Sequence, residues 1–256
     1  MAVFLLTVAG ALAGLMGAML GIGGGIVLVP LLTLGFDLPM EEAVPASLLC
    51  VVASSCGAAS SYLQQKLCDV RLALSLEVAT VSGALAGGAV AGLLSPTILA
   101  ITLGAFLLCT GTQLLVVRLP ETPVGAPYRP ANYPLGMTGS FVAGGLSALL
   151  GVGGGPLKVP LMTFGMRVPF KVATATSNLM IGVTAAASVA GYALRGHLHL
   201  GLVAPLVVGV LAGASVGTRL MPKVPVALLK KFFALVLLGI AAQLLWKGGQ
   251  SLWTSG

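Results

Sequence analysis

One glycine pattern occurs twice in the chain, as GIGGGIVLVP at residues 21–30 and as GVGGGPLKVP at residues 151–160. Each copy begins with four glycines in five residues, and such a run ends an α-helix because glycine loses more conformational freedom in a helix than other residues. Both segments lie inside long apolar stretches, where a broken helix leaves backbone polar groups without water as a partner. The chain is therefore expected to fold around two buried helix breaks.

The two breaks belong to a longer internal repeat. A shift of 130 residues without a gap places the first break on the second, and it also pairs further identical residues: Thr33 with Thr163, Ser47 with Ser177, Tyr62 with Tyr192, Gly83 with Gly213, Gly87 with Gly217 and Gln113 with Gln243. Two copies of one unit are predicted, at residues 1–118 and 134–256. Between them, residues 119–133 have the proline and charge content of a water-exposed linker.

The composition identifies the solvent of this repeat. Hydrophobic residues make up 57% of the 256 residues and charged residues only 7%, with a mean hydropathy of +1.07. Apolar runs long enough to span a bilayer follow one another along the chain, which indicates a polytopic membrane protein whose partner is the lipid bilayer. The net charge of +7 is attributed to membrane orientation and not to a nucleic-acid partner.

The four cysteines give no sign of a cofactor. Cys50, Cys56, Cys68 and Cys109 show neither CxxC nor metal-ligand spacing. They are interpreted as small core residues without a redox or metal role. His197 and His199 lie at a membrane edge with no third ligand, and are interpreted as interfacial. No metal or other cofactor is expected.

Each copy is predicted to be all-helical. The first copy has a helix at about residues 3–20, a short helix at about 26–36 after the break, and spans near 44–64, 72–94 and 98–118, with the second set 130 residues later. The short helix is about 16 Å long, roughly half the hydrocarbon core of a bilayer, so it cannot span as an ordinary helix.

Topology depends on whether the chain crosses the membrane at each break or turns back as a hairpin. A crossing makes the copies parallel and divides the loop Lys and Arg residues six against six. A hairpin makes the copies inverted and leaves only Arg195 and Lys247 on one side, with Lys158 inside the membrane and ten basic residues on the other side: Lys66, Arg71, Arg118, Arg129, Arg167, Lys171, Arg219, Lys223, Lys230 and Lys231. The positive-inside rule favours the inverted arrangement, with both termini periplasmic and the linker cytoplasmic.

Paired broken helices in inverted repeats are the architecture in which secondary transporters bind substrate at the bilayer midplane. Each short helix begins at the glycines, so its backbone N–H groups and positive dipole end point into the protein. Lys158 adds a full charge nearby. The predicted anion site at the breaks consists of Gly23, Gly24, Gly25, Gly153, Gly154, Gly155 and Lys158. The alternative is that the glycines only allow close helix packing.

Other polar residues inside the spans extend this candidate set. Ser47, Ser177 and Asn178 begin the spans beside the breaks and can donate hydrogen bonds to an oxyanion, although a serine can equally bond its own helix. Gln113 and Gln243 are either ligand contacts or contacts between helices. The remaining candidate is Glu77, a carboxylate within a span. It either carries a coupling proton or pairs with Arg71.

The doubled motifs GIGGGIVLVPLL and GVGGGPLKVPLM, with the turns SYLQQKLCDVRLAL and GYALRGHLHLGLV, resemble the sulfite exporter TauE/SafE family of bacterial membrane permeases. The resemblance covers nearly the whole chain. It implies transport of sulfite, sulfonates such as sulfoacetate, thiosulfate or related small anions. One departure is His199 in the second turn, where the first turn has Asp69.

The sequence thus predicts an all-α polytopic protein of the bacterial inner membrane, built from two inverted-topology repeats, each a glycine-broken helix hairpin plus three transmembrane helices. It is expected to be a secondary transporter of a small sulfur-containing oxyanion and not an enzyme. Candidate partners are the anion, a coupling proton or sodium ion, and a second copy of the chain. The alternatives are a carrier for another small organic anion and a structural partner of other membrane proteins.

Overall fold

The computed structural model describes residues 2–91, 93, 95–116, 128–151, 153–193, 200–221 and 225–254. Throughout these ranges, the regular elements are helices: α1 (Ala2–Leu20), α2 (Gly25–Pro30), α3 (Met40–Gln64), α4 (Val70–Ala91), α5 (Pro96–Val116), α6 (Tyr133–Leu150), α7 (Gly155–Pro160), α8 (Phe170–Ala193), α9 (Leu200–Leu220) and α10 (Val226–Thr254). The short helices α2 and α7 continue as π-helical turns at Leu31–Gly35 and Leu161–Gly165. The predicted all-helical fold is confirmed.

Several helices are long and apolar enough to cross a membrane. Among the described residues these are Val3–Leu20, Met40–Gln64, Val70–Val90, Phe170–Ala190 and Val203–Leu220. The helices begin and end close to the predicted positions in both copies, and α10 continues beyond its predicted end to Thr254. Most of the predicted linker, together with His197 and His199, lies outside the described residues.

Both helix breaks depend on a left-handed glycine. Gly24 precedes α2 with φ of +80°, and Gly154 precedes α7 with φ of +71°, a conformation that other L-residues rarely adopt. The backbone at these positions is also crowded, since a Cβ atom on Gly24 would lie 2.8 Å from the Ala13 carbonyl oxygen and one on Gly154 would lie 2.8 Å from that of Ala143. The two breaks therefore have matching local geometry, as the repeat predicts.

Each copy packs its first helix against the third long helix of the other copy. Helix α1 lies along α9, and the equivalent helix α6 lies along α4. Glycines permit backbone contact at these interfaces, because a Cβ atom on Gly10 would lie 2.6 Å from the Leu206 carbonyl oxygen and one on Gly217 would lie 2.6 Å from that of Leu15. Residue numbers rise together along both helices, so α1 and α9 are parallel.

The central helices α3 and α8 are antiparallel to each other. Ser55, in the middle of α3, donates a hydrogen bond to the carbonyl of Asn178, whereas the Asp69 N–H beyond the end of α3 donates to Thr176 Oγ1 at 3.0 Å, nearer the start of α8. The largest hydrophobic cluster lies between these two helices and around the breaks, and it includes Val51 and Ile181. Helices α5 and α10 pack chiefly against each other.

The interpretation of all four cysteines as core residues is wrong for two of them. Cys50 is buried, but Cys56 on α3 and Cys109 on α5 are exposed, and Cys68 in the turn after α3 is half-buried. The apolar pattern of a membrane helix marks both its lipid-facing and its buried surface, so it does not distinguish the two. No group of side chains suited to a metal ion occurs within the described part of the chain.

Candidate functional site

The two glycine breaks are in direct contact at the centre of the protein. A Cβ atom on Gly25 would lie 2.5 Å from the carbonyl oxygen of Gly151, and one on Gly155 would collide with the carbonyl oxygen of Gly21. The first carbonyl of each glycine segment thus packs against the start of the short helix in the other copy. Only a residue without a side chain fits at either short-helix start.

Hydroxyl groups from the central helices complete this contact. Ser47 Oγ on α3 donates to the Gly151 carbonyl oxygen at 2.8 Å, and Ser177 Oγ on α8 donates to the Gly21 carbonyl oxygen at 2.9 Å. Ser47 Oγ also lies 3.3 Å from the carbonyl oxygen of Gly25. Both serines are fully buried, so the carbonyls of Gly21 and Gly151 are each satisfied by a hydroxyl of the opposite copy.

Asn178 joins the same region through one half of its amide. Its Nδ2 donates to the Ala18 carbonyl oxygen at 3.2 Å and to the Thr174 carbonyl oxygen at 3.1 Å. The Oδ1 atom is buried and accepts no hydrogen bond from the part of the chain that is described. The amide therefore links the end of α1 to α8, and its Oδ1 remains an unused hydrogen-bond acceptor.

Two apolar side chains fill the space between the breaks. A Cβ atom on Gly23 would lie 2.9 Å from Ile181 Cγ2 and 3.0 Å from Val51 Cγ1, and one on Gly153 would lie 2.7 Å and 2.9 Å from the same atoms. Val51 and Ile181 are fully buried. Sequence reasoning missed them because it considered polar residues only, although they are separated by the repeat shift of 130 residues.

Lys158, on α7 one turn after the second break, is buried beside an acid. Its Nζ donates to Thr184 Oγ1 on α8 at 2.8 Å and lies 3.7 Å from Glu77 Oε2 on α4. Thr184 Oγ1 in turn lies 2.7 Å from Glu77 Oε1, a hydrogen bond in which the hydroxyl donates. The intramembrane carboxylate thus has Lys158 as its charged partner, and the suggested partner Arg71 is wrong.

The ion pair has no counterpart in the other copy. The residues 130 positions away are Leu28 for Lys158, Ser54 for Thr184 and Val207 for Glu77. Leu28 is fully buried in an apolar cluster against which Val207 packs. The remaining equivalent, Ser54, donates at 2.8 Å to the carbonyl oxygen of Gly23. One half of the protein has a charged pair where the other half has an apolar contact.

Comparison with known proteins identifies the family of this chain. The model of the family described as sulfite exporter TauE/SafE matches residues 6–244. The chain belongs to this family. It is similar to a probable membrane transporter protein, YunE, of Bacillus subtilis (strain 168), with 27% identity over 97% of this chain and 99% of that protein. A probable membrane transporter protein of Xylella fastidiosa (strain Temecula1 / ATCC 700964) is 26% identical over 95% of each chain.

A third relative, a probable membrane transporter protein of Haemophilus influenzae, is 27% identical over 96% of this chain and 98% of its own length. No solved structure matches the chain. The protein is therefore a multi-pass membrane transporter of the TauE/SafE family, and the expectation of a transporter in place of an enzyme is confirmed.

Two predicted site residues of this TauE/SafE transporter lie on the last long helix of each copy. Gln113 is half-buried on α5 and Gln243 is exposed on α10. Helices α5 and α10 pack chiefly against each other, and both also supply apolar side chains to the cluster around the breaks, including Leu107 and Ala241.

A pair of tyrosines that sequence reasoning passed over secures the helices before the breaks. Tyr62 Oη donates to the Ala18 carbonyl oxygen at 2.9 Å, and Tyr192 Oη donates to the Ala148 carbonyl oxygen at 3.0 Å. These carbonyls lie in the last turns of α1 and α6, where a helix has no intrahelical partners. The recurrence of the tyrosine in both copies was the available signal.

A polar cluster lies at the turn between α3 and α4. Asp69 Oδ1 accepts the N–H of Leu72 at 2.9 Å and so caps α4, while Asp69 Oδ2 accepts the hydroxyl of Tyr128 at 2.6 Å. Burial, followed by the hydrogen bond and charge of Asp69, raises the pKa of the Tyr128 hydroxyl. This cluster attaches the segment before α6 to the turn of the first copy.

Proposed function

We propose that this protein is a secondary transporter that moves a small sulfur-containing oxyanion, such as sulfite or sulfoacetate, across the bacterial inner membrane. The observation that carries the proposal is the contact of the two glycine breaks at the centre of the molecule, with a buried hydroxyl on each break. Membership of a family described as sulfite exporters supports the choice of substrate class.

The proposed topology is inverted, with both termini in the periplasm and the linker in the cytoplasm. Three observations support it. Helix α1 packs on α9 as α6 packs on α4, a reciprocal exchange of the kind that a two-fold axis produces. The equivalent helices α3 and α8 are antiparallel, as an axis in the membrane plane requires. The basic residues divide ten against two between the sides.

The proposed substrate site is closed in this conformation. Val51 and Ile181 occupy the space between the breaks, and the Ser47 and Ser177 hydroxyls are bonded to break carbonyls. Separation of α3 from α8 withdraws both apolar side chains and frees both hydroxyls. The hydroxyls, with the first N–H groups of α2 and α7, then supply donors to an oxyanion.

The proposed substrate site contains only some of the residues that the sequence predicts for it. The glycines at the breaks, Ser47, Ser177, Asn178 and Lys158 remain in it, because the structure brings their elements together. Gln113 and Gln243 are assigned to the packing of α5 and α10 and not to the substrate site. Either a proton or a sodium ion is the proposed coupling ion.

Uptake of radiolabelled sulfite, sulfoacetate and succinate into proteoliposomes tests the proposal. We expect uptake of a sulfur-containing anion above that of protein-free liposomes, and competition by the other sulfur-containing anion. Uptake of succinate alone supports a carrier for a different organic anion. Absence of uptake of all three, in protein that is folded in detergent, contradicts an anion transporter.

A further inference from the structure

The Lys158–Glu77 pair is not required by the fold of this region. At the equivalent place in the other copy, the same arrangement of helices is filled by Leu28 and Val207, which pack in an apolar cluster. A buried ion pair is often no more stabilising than apolar side chains of similar volume, because both charges lose their hydration. Charged side chains within membrane-spanning segments are rare and are usually functional. The asymmetry therefore points to a role in transport.

The pair is connected to the break and is weakly held at one end. The N–H of Lys158 donates to the Gly154 carbonyl oxygen at 3.1 Å, and Thr184 lies one turn along α8 from Ile181. Glu77 Oε2 accepts no hydrogen bond from the described residues and contacts Lys158 only as an ion pair at 3.7 Å. The carboxylate thus has unused acceptor capacity next to the only cation it faces among those residues.

We propose that Glu77 is the resident counter-ion of Lys158, and that the transported anion replaces it once Glu77 has taken up a proton. The proposal rests on the proposed function and adds the coupling step. A proton from solution binds the Glu77 carboxylate and forms a neutral carboxylic acid, while Lys158 remains an ammonium group. The anion then pairs with Lys158. Release of the anion and the proton on the other side restores the original pair.

Charge balance favours this exchange. The buried site carries one positive and one negative charge before the exchange and again afterwards, so no uncompensated charge is left in a medium of low dielectric constant. Displacement of an ionised Glu77 by the anion would instead leave two negative charges beside one lysine. The exchange therefore moves one proton with each anion. The combined movement is electroneutral for a monovalent anion such as hydrogen sulfite, whereas a dianion such as sulfoacetate carries one net negative charge with it.

The nearest other charged residue on α4 is Arg71, which lies about 9 Å from Glu77 along the helix axis at 1.5 Å per residue. Apart from Lys158, the charged or titratable residues on the described helices that pack against Glu77 are close to helix ends: Asp69 and Arg71 at the start of α4, Tyr133 on α6, and Lys171 and Tyr192 on α8. Lys171 lies about 20 Å along α8 from Thr184 at the rise of an α-helix. Glu77 is thus the carboxylate whose protonation can respond to an anion at Lys158.

Proton movement and anion binding in the same preparation test the proposal. The wild-type protein is expected to acidify the lumen of proteoliposomes as sulfite or sulfoacetate enters, and to bind the anion up to about tenfold more tightly for each unit by which the pH falls. In the Glu77→Gln variant the neutral amide mimics the protonated acid, so binding persists, loses its pH dependence, and no longer supports uphill accumulation driven by a pH gradient. Glu41→Gln, the same change at an exposed acid at the start of α3, is expected to behave like the wild type.

A double variant guards against a folding defect. Glu77→Val with Lys158→Leu copies the residues of the other half and is expected to fold, with loss of anion-induced thermal stabilisation. Anion uptake by the wild type without proton movement, together with pH-dependent binding in Glu77→Gln, overturns the exchange and leaves the proposed function standing. Normal anion binding by the double variant also overturns it. Absence of binding and uptake in the wild type overturns both proposals.

Discussion

Ser47 and Ser177 occupy equivalent positions in the two copies, and each hydroxyl donates to the first carbonyl of the other copy's glycine segment, at 2.8 Å and 2.9 Å. Two helix breaks that lie far apart in the sequence are thereby closed against each other. The contact satisfies backbone groups that water does not reach, and under the proposed function it opens when the anion passes.

The first prediction concerns these serines. Ser47→Ala and Ser177→Ala each leave a buried carbonyl without its donor, which is expected to lower the free energy of unfolding by about 1–3 kcal/mol. Thermal unfolding in detergent measures the loss. Ser75→Ala, which removes an exposed hydroxyl bonded to its own helix, is the matched control and is expected to change stability little. Equal effects at all three positions would mean that the bonds across the breaks contribute nothing of their own.

The second prediction concerns the glycines that open the short helices. Gly24→Ala and Gly154→Ala place a side chain at φ of +80° and +71°, which alone costs about 1–2 kcal/mol, and each new methyl group meets a carbonyl oxygen of the preceding helix. Both variants are expected to unfold at lower temperature and to lose transport. Gly239→Ala is the control, since a Cβ atom there has no neighbour within 4 Å.

Gly83 and Gly213 are not suitable controls for that experiment, although they lie away from the breaks. A Cβ atom on either would collide with a backbone carbonyl oxygen of the facing helix, Phe141 or Ala11. Alanine at these positions is expected to separate the helix pairs and to destabilise the fold. If Gly24→Ala and Gly154→Ala unfolded at the same temperature as Gly239→Ala, the breaks would not require glycine.

The third prediction tests the proposed orientation. A single cysteine at Thr122, in a background without the native cysteines, is expected to react with a membrane-impermeant thiol reagent only after the cells are permeabilised. The measurement is the labelled fraction before and after permeabilisation. Full labelling in intact cells, with a cytoplasmic control protein left unlabelled, would place the linker outside and contradict the inverted arrangement.

The fourth prediction concerns the thiol of Cys68, which lies in the turn between α3 and α4. Burial raises its pKa to about 11 from 9.0, with a smaller increase from the charge of Asp69 and an opposing effect of the hydrogen bond to Thr176. Only the thiolate reacts with maleimides, so the labelling rate of a protein with Cys68 as its single cysteine is expected to increase about tenfold for each pH unit up to its pKa.

A substitution at Asp69 provides the comparison for that rate. Asp69→Asn removes the negative charge that disfavours the thiolate, so the Cys68 rate at a fixed pH is expected to increase. A Cys68 labelling rate that levels off well below pH 11 would contradict the raised pKa.

The helices and the breaks could be predicted because their signals are local or repeated. Glycine clusters, apolar runs and the 130-residue shift are all visible in the sequence alone. Because of the repeat, each of these features occurs twice, and the second occurrence supports the first. The shift also predicted that Ser47 and Ser177 belong to the breaks. It could not predict that they donate to the opposite copy, because one sequence does not state which helices are neighbours.

The partner of Glu77 could not be predicted for a related reason. Arg71 is close in sequence, and Lys158 was assigned to a substrate anion. Only the packing of α4 against α6 and α8 brings Glu77 beside the second break. This contact occurs in one copy only. The equivalent residues of the other copy are apolar, so the repeat gives no reason to expect an ion pair here.

The reciprocal pairing of first helices has a consequence for how the two copies can exist. In a chain that consisted of one copy, α1 and α4 would each lack the helix that packs against it. A second identical chain supplies both missing helices at once through an isologous interface. The contact plan is thus that of a homodimer whose subunits have been fused. Residues 1–118 and 134–256, produced as separate polypeptides in one membrane, are expected to assemble with each other, whereas either half alone is expected to be degraded or to form dimers with itself.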